Sequence, residues 1–326
     1  MVFEATVEVL PSPLFVWGEN FLQEAKETMP EGNEIHRWAE RHAAAFAGRP
    51  VCVDGPQGRF TDADVIDGRR LVKVMAVGKH LGYDFGRDRI LHVHLGLQGD
   101  FTEGSGALPE VKGALRLRIW NAAAVRKPAV PGQSKRHAWY SEDDGTGHLE
   151  PEQIAWVELR GPMDCSIYTQ EKWDALRKKL GPDPLGDDPV WDRAERMVAK
   201  VAKSRKPVAE LLMDQTMFAG VGNIVRAEVL YRAQLSPFRL GKDVEGKKLQ
   251  AMWKDAGVLL RSGMVDRRLV STKPGDRPHK RGKVLKEEAH YVYRRNGLPC
   301  FVCGTVVKKM EMAGRNLFWC PTCQSE

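Results

Sequence analysis

The sequence predicts an α+β protein built from an antiparallel sheet domain, a helical region and a small C-terminal metal-binding hairpin. Three observations lead to this fold class. Apolar and polar residues alternate with a period of two between residues 71 and 121, apolar residues recur at helical spacing between residues 191 and 262, and two Cys-x-x-Cys pairs lie near the end of the chain. A length of 326 residues suits two domains with an appendage.

The sheet domain is predicted from three alternating runs, LVKVMAV, RILHVHL and ALRLRIW, which begin at residues 71, 89 and 114. Each run places apolar residues at every second position, which is the pattern of a strand with one buried face. The segment FGRDR, which begins at residue 85, is typical of a hairpin turn between two of these strands. The antiparallel sheet is expected to form a sandwich or a barrel, and Cys52 and Cys165 are expected at buried strand positions.

The helical region follows LGPDPL, a turn-rich stretch at residues 180–185. Beyond it, apolar residues recur at the spacing of a buried helix face. These residues are Trp191, Met197, Val198 and Val201, followed later by Leu249, Met252, Trp253, Leu259 and Leu260. The segment STKPGDRPHKRGK at residues 271–283 is basic and rich in helix breakers, which favours a mobile loop or a linker.

The C-terminal hairpin is predicted from four cysteines in two Cys-x-x-Cys pairs separated by sixteen residues. This spacing is typical of a four-cysteine zinc site, in which TVVKK and NLFWC would supply the two strands. Four thiolates complete the tetrahedral coordination of zinc, so the ion is expected to be structural rather than catalytic. The alternative is four reduced cysteines without metal. The predicted ligands are Cys300, Cys303, Cys320 and Cys323.

The charge of the chain is divided unevenly along its length. Residues 191–326 contain 27 Lys and Arg against 14 Asp and Glu, whereas residues 1–190 contain 23 against 29. A basic C-terminal part favours binding to a polyanion, and the alternative is an ordinary solvated basic surface. We find no run of 18 or more apolar residues, and the acidic opening segment does not have the composition of a targeting peptide.

A helix–turn–helix pattern is predicted in LLMDQTMFAGVGNIVRAEVLYRAQL at residues 211–235. Gly220 and Gly222 permit a tight turn, and Asn223 stands where the N-cap of the second helix is expected. The free amides at a helix N-terminus are a natural phosphate site, while the simpler alternative is a plain helix cap. Because the C-terminal part is basic, phosphate binding is the preferred interpretation.

Several motifs occur together in the order found in one known family. They are MPEGNEIHRWAERHAAAFAGRP, GKHL, HVHLGLQG, LGPDPL, LLMDQTMFAGVGN and the terminal zinc ribbon. Over residues 29–324 the chain therefore resembles the endonuclease VIII / formamidopyrimidine-DNA glycosylase family, and MPEG together with RNLFWCPTC favours the endonuclease VIII branch. The resemblance implies an N-terminal β-sandwich, a helix–two-turn–helix domain and a zinc finger, with DNA bound in the cleft between them.

The resemblance also implies a division of the chain into five segments. These are an N-terminal extension at 1–28, which the natural protein need not contain, a β-sandwich catalytic domain at 29–160, a linker at 161–188, a helix–two-turn–helix domain at 189–290 and a zinc finger at 291–326.

The activity implied by the resemblance is excision of oxidised bases from DNA, followed by cleavage of the strand at the abasic site. The nucleophile of the family is the amine of an N-terminal proline, which corresponds to Pro30. Glu31 corresponds to the acid/base, and Lys79 corresponds to a hairpin lysine that contacts phosphate and assists catalysis. Oxidised pyrimidines are the expected lesions of this branch.

Further residues are implied to contact DNA. Asn223 and Arg315 correspond to the asparagine and the zinc-finger arginine that bind the backbone beside the lesion. Leu97 corresponds to a residue that fills the gap left by the everted base, and Gln98 follows it. Glu34 is expected to support the catalytic residues or to contact the sugar.

The position of Pro30 raises a chemical problem, because an internal proline nitrogen is an amide without a basic lone pair. Three explanations compete: translation begins at Met29, proteolysis exposes Pro30, or the protein binds DNA without catalysis. Residues 1–28 contain five glutamates and one lysine, which is unfavourable near a DNA cleft and therefore favours the first explanation.

The sequence thus predicts a monomeric DNA glycosylase and abasic-site lyase with one structural zinc ion. Its partner is double-stranded DNA that contains oxidised bases or abasic sites, and in a bacterium it would act in the cytoplasm at the nucleoid. Two rival interpretations remain open. One is a zinc-finger protein that binds damaged DNA without cutting it, and the other is a scaffold protein whose ribbon contacts RNA or protein.

Overall fold

The computed structural model of the protein describes residues 30–121, 149–189 and 192–325. The predicted extension at residues 1–28, Met29 and Trp191 lie outside the described residues. Structural statements below refer to the described residues.

The N-terminal part is a sandwich of two antiparallel four-stranded sheets behind one long helix. The helix α1 spans Gly32–Phe46, and the short helix α2 spans Ala63–Ile66. One sheet has the order β1-β6-β7-β5 and the other has the order β2-β3-β4-β8. The strands are β1 (Cys52–Asp54), β2 (Lys73–Val77), β3 (His80–Asp84), β4 (Ile90–His94), β5 (Asp100–Gly104), β6 (Leu115–Trp120), β7 (Trp156–Arg160) and β8 (Asp164–Tyr168).

The three alternating runs form β2, β4 and β6, as predicted. FGRDR forms a turn, but it joins β4 to β3, a strand that was not among the three predicted runs. Arg87 and Asp88 in this turn adopt the left-handed conformation, with φ of 50° and 59°. The two separate sheets decide between the open alternatives in favour of a sandwich. Cys52 and Cys165 both lie in strands but are only half-buried.

The core of the sandwich forms because the alternating strands direct one face of each sheet inward, and α1 covers the end of this core. Buried residues from both sheets and from α1 make one hydrophobic cluster. Large members of this cluster are Ile35, Trp38, Phe46, Leu81, Tyr83, Leu91, Phe101, Leu117, Ile119 and Leu159.

The last strand corrects one predicted boundary. Residues 161–188 were expected to be a linker, yet β8 pairs with β4 along its whole length and belongs to the second sheet. The strand itself agrees with the strand position expected for Cys165, whereas the linker boundary was wrong because a five-residue segment does not reveal which sheet it joins. A helix, α3 (Gln170–Lys179), follows the strand, and Trp173 from this helix packs against Gly82 of β3.

The helical part contains four helices around a second hydrophobic cluster. They are α4 (Ala194–Val201), α5 (Val208–Met213), α6 (Asn223–Arg232) and α7 (Gly246–Asp266). The beginning of the segment at 271–283, predicted to be a mobile loop or a linker, is packed: Ser271 and Thr272 are buried, and Thr272 donates a hydrogen bond to the carbonyl of Glu288 at 2.6 Å.

The zinc-ribbon segment forms the predicted hairpin. Its strands are β9 (Lys308–Met312) and β10 (Arg315–Trp319), which pair antiparallel from Arg315↔Met312 to Trp319↔Lys308. The hairpin packs on α6 through Phe318 and Val307, which share a buried cluster with Tyr231. Among the described residues, no helix combines the length and the hydrophobicity needed to cross a membrane.

Candidate active site

Three segments that are distant in sequence meet at one point. They are residues 30–34 at the start of α1, the turn between β2 and β3, and the loop that precedes α6. The Gly32 amide donates a hydrogen bond to the Gly220 carbonyl at 2.8 Å, which joins the first segment to the third. The candidate site therefore lies where the sandwich contacts the helical part.

Glycines make this approach possible, because side chains would keep the three backbones apart. A Cβ on Gly78 would lie 3.0 Å from the Gly220 nitrogen, and a Cβ on Gly32 would lie 3.1 Å from the Gly220 Cα. Gly78 and Gly220 also have positive φ, at 58° and 84°, which favours glycine independently of space. We call the contact of Gly32, Gly78 and Gly220 the glycine junction.

Asp183 stabilises the glycine junction through hydrogen bonds to the β2–β3 turn and to α1. Its Oδ2 accepts hydrogen bonds from the Gly78 amide at 2.6 Å and from His36 Nε2 at 2.8 Å, and its Oδ1 accepts one from the Leu185 amide at 2.9 Å. Although burial raises the pKa of Asp183, the interaction with His36 and the amide donors outweigh it and hold the pKa below its ordinary value. The turn-rich LGPDPL stretch thus ties α1 to the β2–β3 turn.

Glu31 is buried at the N-terminus of α6. Its carboxylate accepts hydrogen bonds from the amides of Ile224 at 2.7 Å, Gly222 at 3.2 Å and Val225 at 3.3 Å. These are amides that a helix leaves without internal partners, and the positive end of the helix dipole also favours a negative charge there. Glu31 therefore caps a helix almost two hundred residues further along the chain.

This arrangement corrects the prediction for Asn223. Asn223 is the first residue of α6, whereas Gly222 occupies the N-cap position and no side chain of α6 itself caps the helix. The amides that were expected to be free for phosphate are bonded to Glu31. The sequence suggested a local cap because it cannot reveal a capping residue from another domain.

Glu31 and Lys79 form a buried, electrostatically coupled pair; Glu31 is 4% exposed and Lys79 is 6% exposed. Burial raises the pKa of Glu31, against the opposing influence of Lys79 and the three amides. Burial lowers the pKa of Lys79; the charge of Glu31 opposes this shift and that of Arg315 adds to it. Burial thus shifts the pKa of each group in the direction that favours its uncharged form, which is the direction that suits an acid–base pair.

Pro30 directly precedes Glu31 in the chain. It is half-buried, while Glu31, Gly32 and Asn33 are buried. The backbone of Pro30 is thus held at the edge of the site, next to the residue that carries the buried carboxylate. In the 326-residue chain its nitrogen belongs to the peptide bond with Met29.

Asn223 connects α6 to the zinc hairpin. Its Nδ2 donates to the Asn316 carbonyl at 3.0 Å, and its Oδ1 accepts a hydrogen bond from Arg226. Arg226 also donates to the Asn316 carbonyl at 3.1 Å. The two side chains and this carbonyl form a closed group, which we call the Asn316 clasp, and Arg315 is the adjacent residue.

Arg226 was not recognised in the sequence. It is fully buried, and burial lowers its pKa to about 10, with Glu31 opposing and Arg315 adding to the shift. Within the described residues, its Nε and Nη1 have no hydrogen-bond acceptor. The available signal was an arginine in the otherwise apolar face of α6. Lys79 and Arg226 thus both interact electrostatically with Glu31, and both also interact with the positive charge of Arg315.

The remaining predicted residues lie apart from this centre or at its edge. Leu97 and Gln98 are exposed on the turn between β4 and β5, and Leu97 is 42% exposed. Glu34 lies in the first turn of α1, where burial raises its pKa and the charge of Arg37 opposes the shift. Leu97 is thus an exposed leucine on a tight turn, which is the position expected of a residue that inserts into DNA.

A second buried carboxylate, Glu228, supports the hairpin and was also missed. Its Oε1 accepts from the amides of Val292 at 3.0 Å and Tyr293 at 2.7 Å, and its Oε2 accepts from the Tyr291 amide at 2.8 Å and from the Ser271 hydroxyl. Glu228 fixes the segment that enters the zinc ribbon. A glutamate two residues after a buried arginine on one helix was the only sequence signal.

The four ribbon cysteines converge as predicted. Their sulfur atoms lie within 4.8 Å of one another, with Cys303 and Cys320 Sγ 3.4 Å apart and Cys300 and Cys323 Sγ 3.9 Å apart. A tetrahedral zinc ion with Zn–S bonds of about 2.3 Å requires sulfur–sulfur separations of about 3.8 Å. The cluster therefore fits a structural zinc ion, which would hold the hairpin and Arg315 in place.

Comparison with known sequences identifies three family profiles along the chain. The formamidopyrimidine-DNA glycosylase N-terminal domain matches residues 29–129, the formamidopyrimidine-DNA glycosylase H2TH domain matches residues 180–273, and the zinc finger found in FPG and IleRS matches residues 297–325.

Among curated proteins, the chain is similar to Endonuclease 8 1 of Mycobacterium tuberculosis, with 37% identity over 307 residues that cover 91% of this chain and 100% of the relative. Endonuclease 8 of Escherichia coli is 29% identical over 309 residues, with the same coverage.

Solved structures share the fold. A complex of Lactococcus lactis Fpg with DNA that contains an abasic site gives a TM-score of 0.64 at 19% identity, and it covers 91% of this chain and 100% of that chain. A complex of MutM with DNA that contains carbocyclic 8-oxo-G gives a TM-score of 0.66 at 20% identity with the same coverage.

Proposed function

Because the chain belongs to the endonuclease VIII / formamidopyrimidine-DNA glycosylase family, we propose that it is a DNA glycosylase of base-excision repair that also cleaves the resulting abasic strand. The observation that carries this proposal is the buried Glu31–Lys79 pair, in which Glu31 follows Pro30 in the chain and binds the N-terminal amides of α6. Burial of either charge alone would be costly, and the opposite charge of the partner offsets part of this cost.

In the proposed reaction, the free amine of Pro30 attacks C1′ of the damaged nucleotide. Glu31 protonates the sugar ring oxygen, and the base leaves with the electron pair of the glycosidic bond. The opened sugar remains attached to Pro30 as a Schiff base. Removal of a C2′ proton then breaks the 3′ carbon–oxygen bond by β-elimination, either alone or followed by a δ-elimination that breaks the 5′ carbon–oxygen bond.

The phosphates beside the lesion are proposed to bind near the positive charges of Lys79 and Arg315. Asn223, Lys79 and Arg315 supply donors from the helix, the β2–β3 turn and the zinc hairpin. Contacts of this kind position the backbone without reading sequence. We further propose that Leu97 and Gln98 fill the gap in the duplex and that Glu34 contacts the sugar.

The reaction requires a free α-amine at Pro30, so we propose that the mature chain begins there after removal of Met29. The family profile of the N-terminal domain begins at residue 29, which supports this start. An α-amine has an ordinary pKa of about 7.7–8.0 against about 10.4 for lysine, so a larger fraction is nucleophilic at neutral pH.

Since Pro30, Glu31, Lys79, Asn223 and Arg315 come from one chain, a monomer with one zinc ion should suffice.

The decisive experiment compares two forms of the protein, one beginning at Met1 and one beginning at Met29. Intact mass first establishes whether Pro30 is terminal in each. Both forms are then mixed with a duplex containing an abasic site and treated with borohydride, which reduces a Schiff base to a stable covalent adduct. We expect an adduct only with the form whose terminus is Pro30.

Two results would contradict the proposal. Equal trapping by both forms would exclude Pro30 as the nucleophile. Absence of trapping by the Pro30 form, with binding to the same duplex retained, would favour the alternative of a DNA-binding protein without catalysis. The internal position of Pro30 in the 326-residue chain is the observation that keeps this alternative open.

We propose oxidised pyrimidines as the preferred lesions, because the relatives of highest identity among those compared carry the Endonuclease 8 name. Matched duplexes that contain either an oxidised pyrimidine or 8-oxoguanine opposite its usual partner test this preference. Single-turnover excision should be faster for the pyrimidine; faster excision of 8-oxoguanine would contradict the assignment.

A further inference from the structure

Tyr231 is a buried tyrosine that directs its hydroxyl into the cysteine cluster. The residue is 5% exposed, and its oxygen lies 3.1 Å from Cys300 Sγ and 3.8 Å from Cys323 Sγ. Its ring stacks on Tyr291, with centroids 4.5 Å apart and an interplanar angle of 22°. The ring stacking and the hydrophobic cluster hold the hydroxyl in this position.

The chemistry of the cluster requires donors around it. Four thiolates around one divalent ion carry a net charge of −2, and Cys300 and Cys320 are buried. Hydrogen bonds from outside the coordination sphere disperse thiolate charge and fix the orientation of the ligands. Only an O–H or N–H group can supply them, since every other atom near sulfur is a weaker partner.

One nearby cation contributes without bonding to sulfur. The guanidinium of Arg295 donates to the carbonyls of Tyr291 at 2.7 Å and Pro299 at 2.8 Å, lies 3.4 Å from the centroid of the Phe301 ring, and interacts electrostatically with Cys300. Arg295 therefore balances charge at a distance, whereas the Tyr231 hydroxyl is placed to donate a hydrogen bond to the sulfur itself.

We propose that Tyr231 is a positioning residue of the zinc site: its hydroxyl donates a hydrogen bond to the Cys300 thiolate, with Cys323 as the second neighbour, and thereby slows the loss of zinc. Tyr231 lies on α6, the helix that begins with Asn223. The two residues lie eight positions apart, which corresponds to about 12 Å along the helix. The same rigid element thus joins the candidate phosphate contact at one end to the metal site at the other.

Tyr231→Phe tests the proposal, and Tyr291→Phe is a matched control. Each substitution removes one hydroxyl from the same stacked pair. The Tyr291 hydroxyl, however, donates to Asp276 and accepts from the Lys273 amide at 2.9 Å rather than approaching sulfur. Zinc-loaded full-length proteins are mixed with excess chelator, without DNA, and zinc release is followed with a metal-sensitive dye.

We expect zinc release from Tyr231→Phe to be about 10-fold faster or more than from wild type, while Tyr291→Phe stays within about 2-fold. A second measurement uses cobalt in place of zinc. The sulfur-to-cobalt charge-transfer band should shift in Tyr231→Phe, because loss of a donor hydrogen bond changes the electron density on Cys300, and it should be unchanged in Tyr291→Phe.

Equal release rates and identical cobalt spectra for all three proteins would overturn the proposal. Equally accelerated release in both variants would also overturn it, since this would assign the effect to packing of the tyrosine pair. Thermal unfolding of the zinc-free proteins is measured alongside, so that a loss of fold is distinguished from a loss of metal.

Discussion

Glu31 and Glu228 have the same pattern of hydrogen bonds but different surroundings. Each buried carboxylate accepts three backbone amides from a segment remote in sequence. Amide donors alone therefore do not distinguish an acid catalyst from a structural fastener. Their charged neighbours differ: Glu31 interacts with the buried amine of Lys79, whereas Glu228 interacts with the guanidinium groups of Arg232 and Arg295.

Substitution of Arg226 should show how much the position of Asn223 contributes to DNA binding, separately from base excision. Arg226→Met keeps the volume of the side chain but removes the donors that hold Asn223 and the Asn316 carbonyl together. We expect affinity for a duplex with a stable abasic-site analogue to fall about 10-fold, equivalent to about 1.4 kcal/mol. Binding is measured by fluorescence anisotropy at fixed salt, because phosphate contacts depend on ionic strength.

The control for Arg226→Met is Arg205→Met, which removes the same charge from an exposed position in the helical part. Arg205→Met should weaken binding much less than Arg226→Met. If the two variants lose equal affinity, the effect is one of total charge and the Asn316 clasp has no specific role. Thermal unfolding of both proteins shows whether the buried substitution has simply lost the fold.

At the scale of elements, α6 is the part on which the other parts converge. Its N-terminal amides bind Glu31 from the sandwich, Asn223 and Arg226 bind the zinc hairpin, and Glu228 binds the segment that leads into that hairpin. A helix of ten residues therefore fixes the position of three other segments. Its mainly apolar sequence reflects burial, and its few polar residues are the connections.

Gly222 offers a test of how closely α6 must approach Glu31. Its φ of −123° is allowed for any residue, so the position does not require glycine for its conformation. A Cβ there would lie 2.6 Å from both Cγ and Cδ of Glu31. Gly222→Ala should displace the carboxylate and lower single-turnover base excision about 100-fold, the lower end of the usual contribution of an acid–base group.

Gly275→Ala is the matched control for this prediction, since a Cβ at Gly275 meets no atom within 4 Å. It should excise bases at the wild-type rate. A Gly222→Ala protein of normal activity would mean that the observed distance between Glu31 and α6 is not needed for excision. Circular dichroism of both variants checks that the helical part is intact.

Local patterns predicted the elements well, and contacts between distant segments account for the differences. The strands β2, β4 and β6 and the cysteine cluster were predictable, because alternation and Cys-x-x-Cys spacing are local properties. The N-cap role of Asn223 was wrong because the capping carboxylate comes from Glu31, on another domain. Arg226 was hidden for a similar reason, since its acceptors include a carbonyl of the zinc hairpin.

For the whole molecule, two histidines with lowered pKa contribute to the response of stability to acid. His42 is fully buried and bonded to the Tyr83 hydroxyl at 2.6 Å, and burial lowers its pKa to about 3, with Arg41 and Arg37 adding to the shift. Burial also lowers the pKa of His80 to about 3. The unfolded chain protonates these groups near pH 6.5, so their contribution to stability is complete above that pH and is lost as pH falls toward 3.

His42→Gln isolates this effect from acid release of zinc, which is common to both proteins. Between pH 7.5 and 5, we expect the free energy of unfolding of wild type to fall more steeply than that of His42→Gln, by on the order of 1–2 kcal/mol. Urea unfolding at a series of pH values measures the two slopes. Parallel slopes would show that His42 does not remain neutral in the folded protein.

The glycine junction carries one consequence for motion between the two halves of the protein. Gly32 and Glu31 are neighbours, and each is bonded to the loop or the helix on the opposite side. A hinge rotation that opened this contact would remove the carboxylate from its three amides and expose it to water. Because burial is the largest influence on the pKa of Glu31 and raises it, this exposure would lower the pKa toward its ordinary value. The relative orientation of the two halves and the pKa of Glu31 are therefore linked, so that closure of the contact changes the acidity of this side chain.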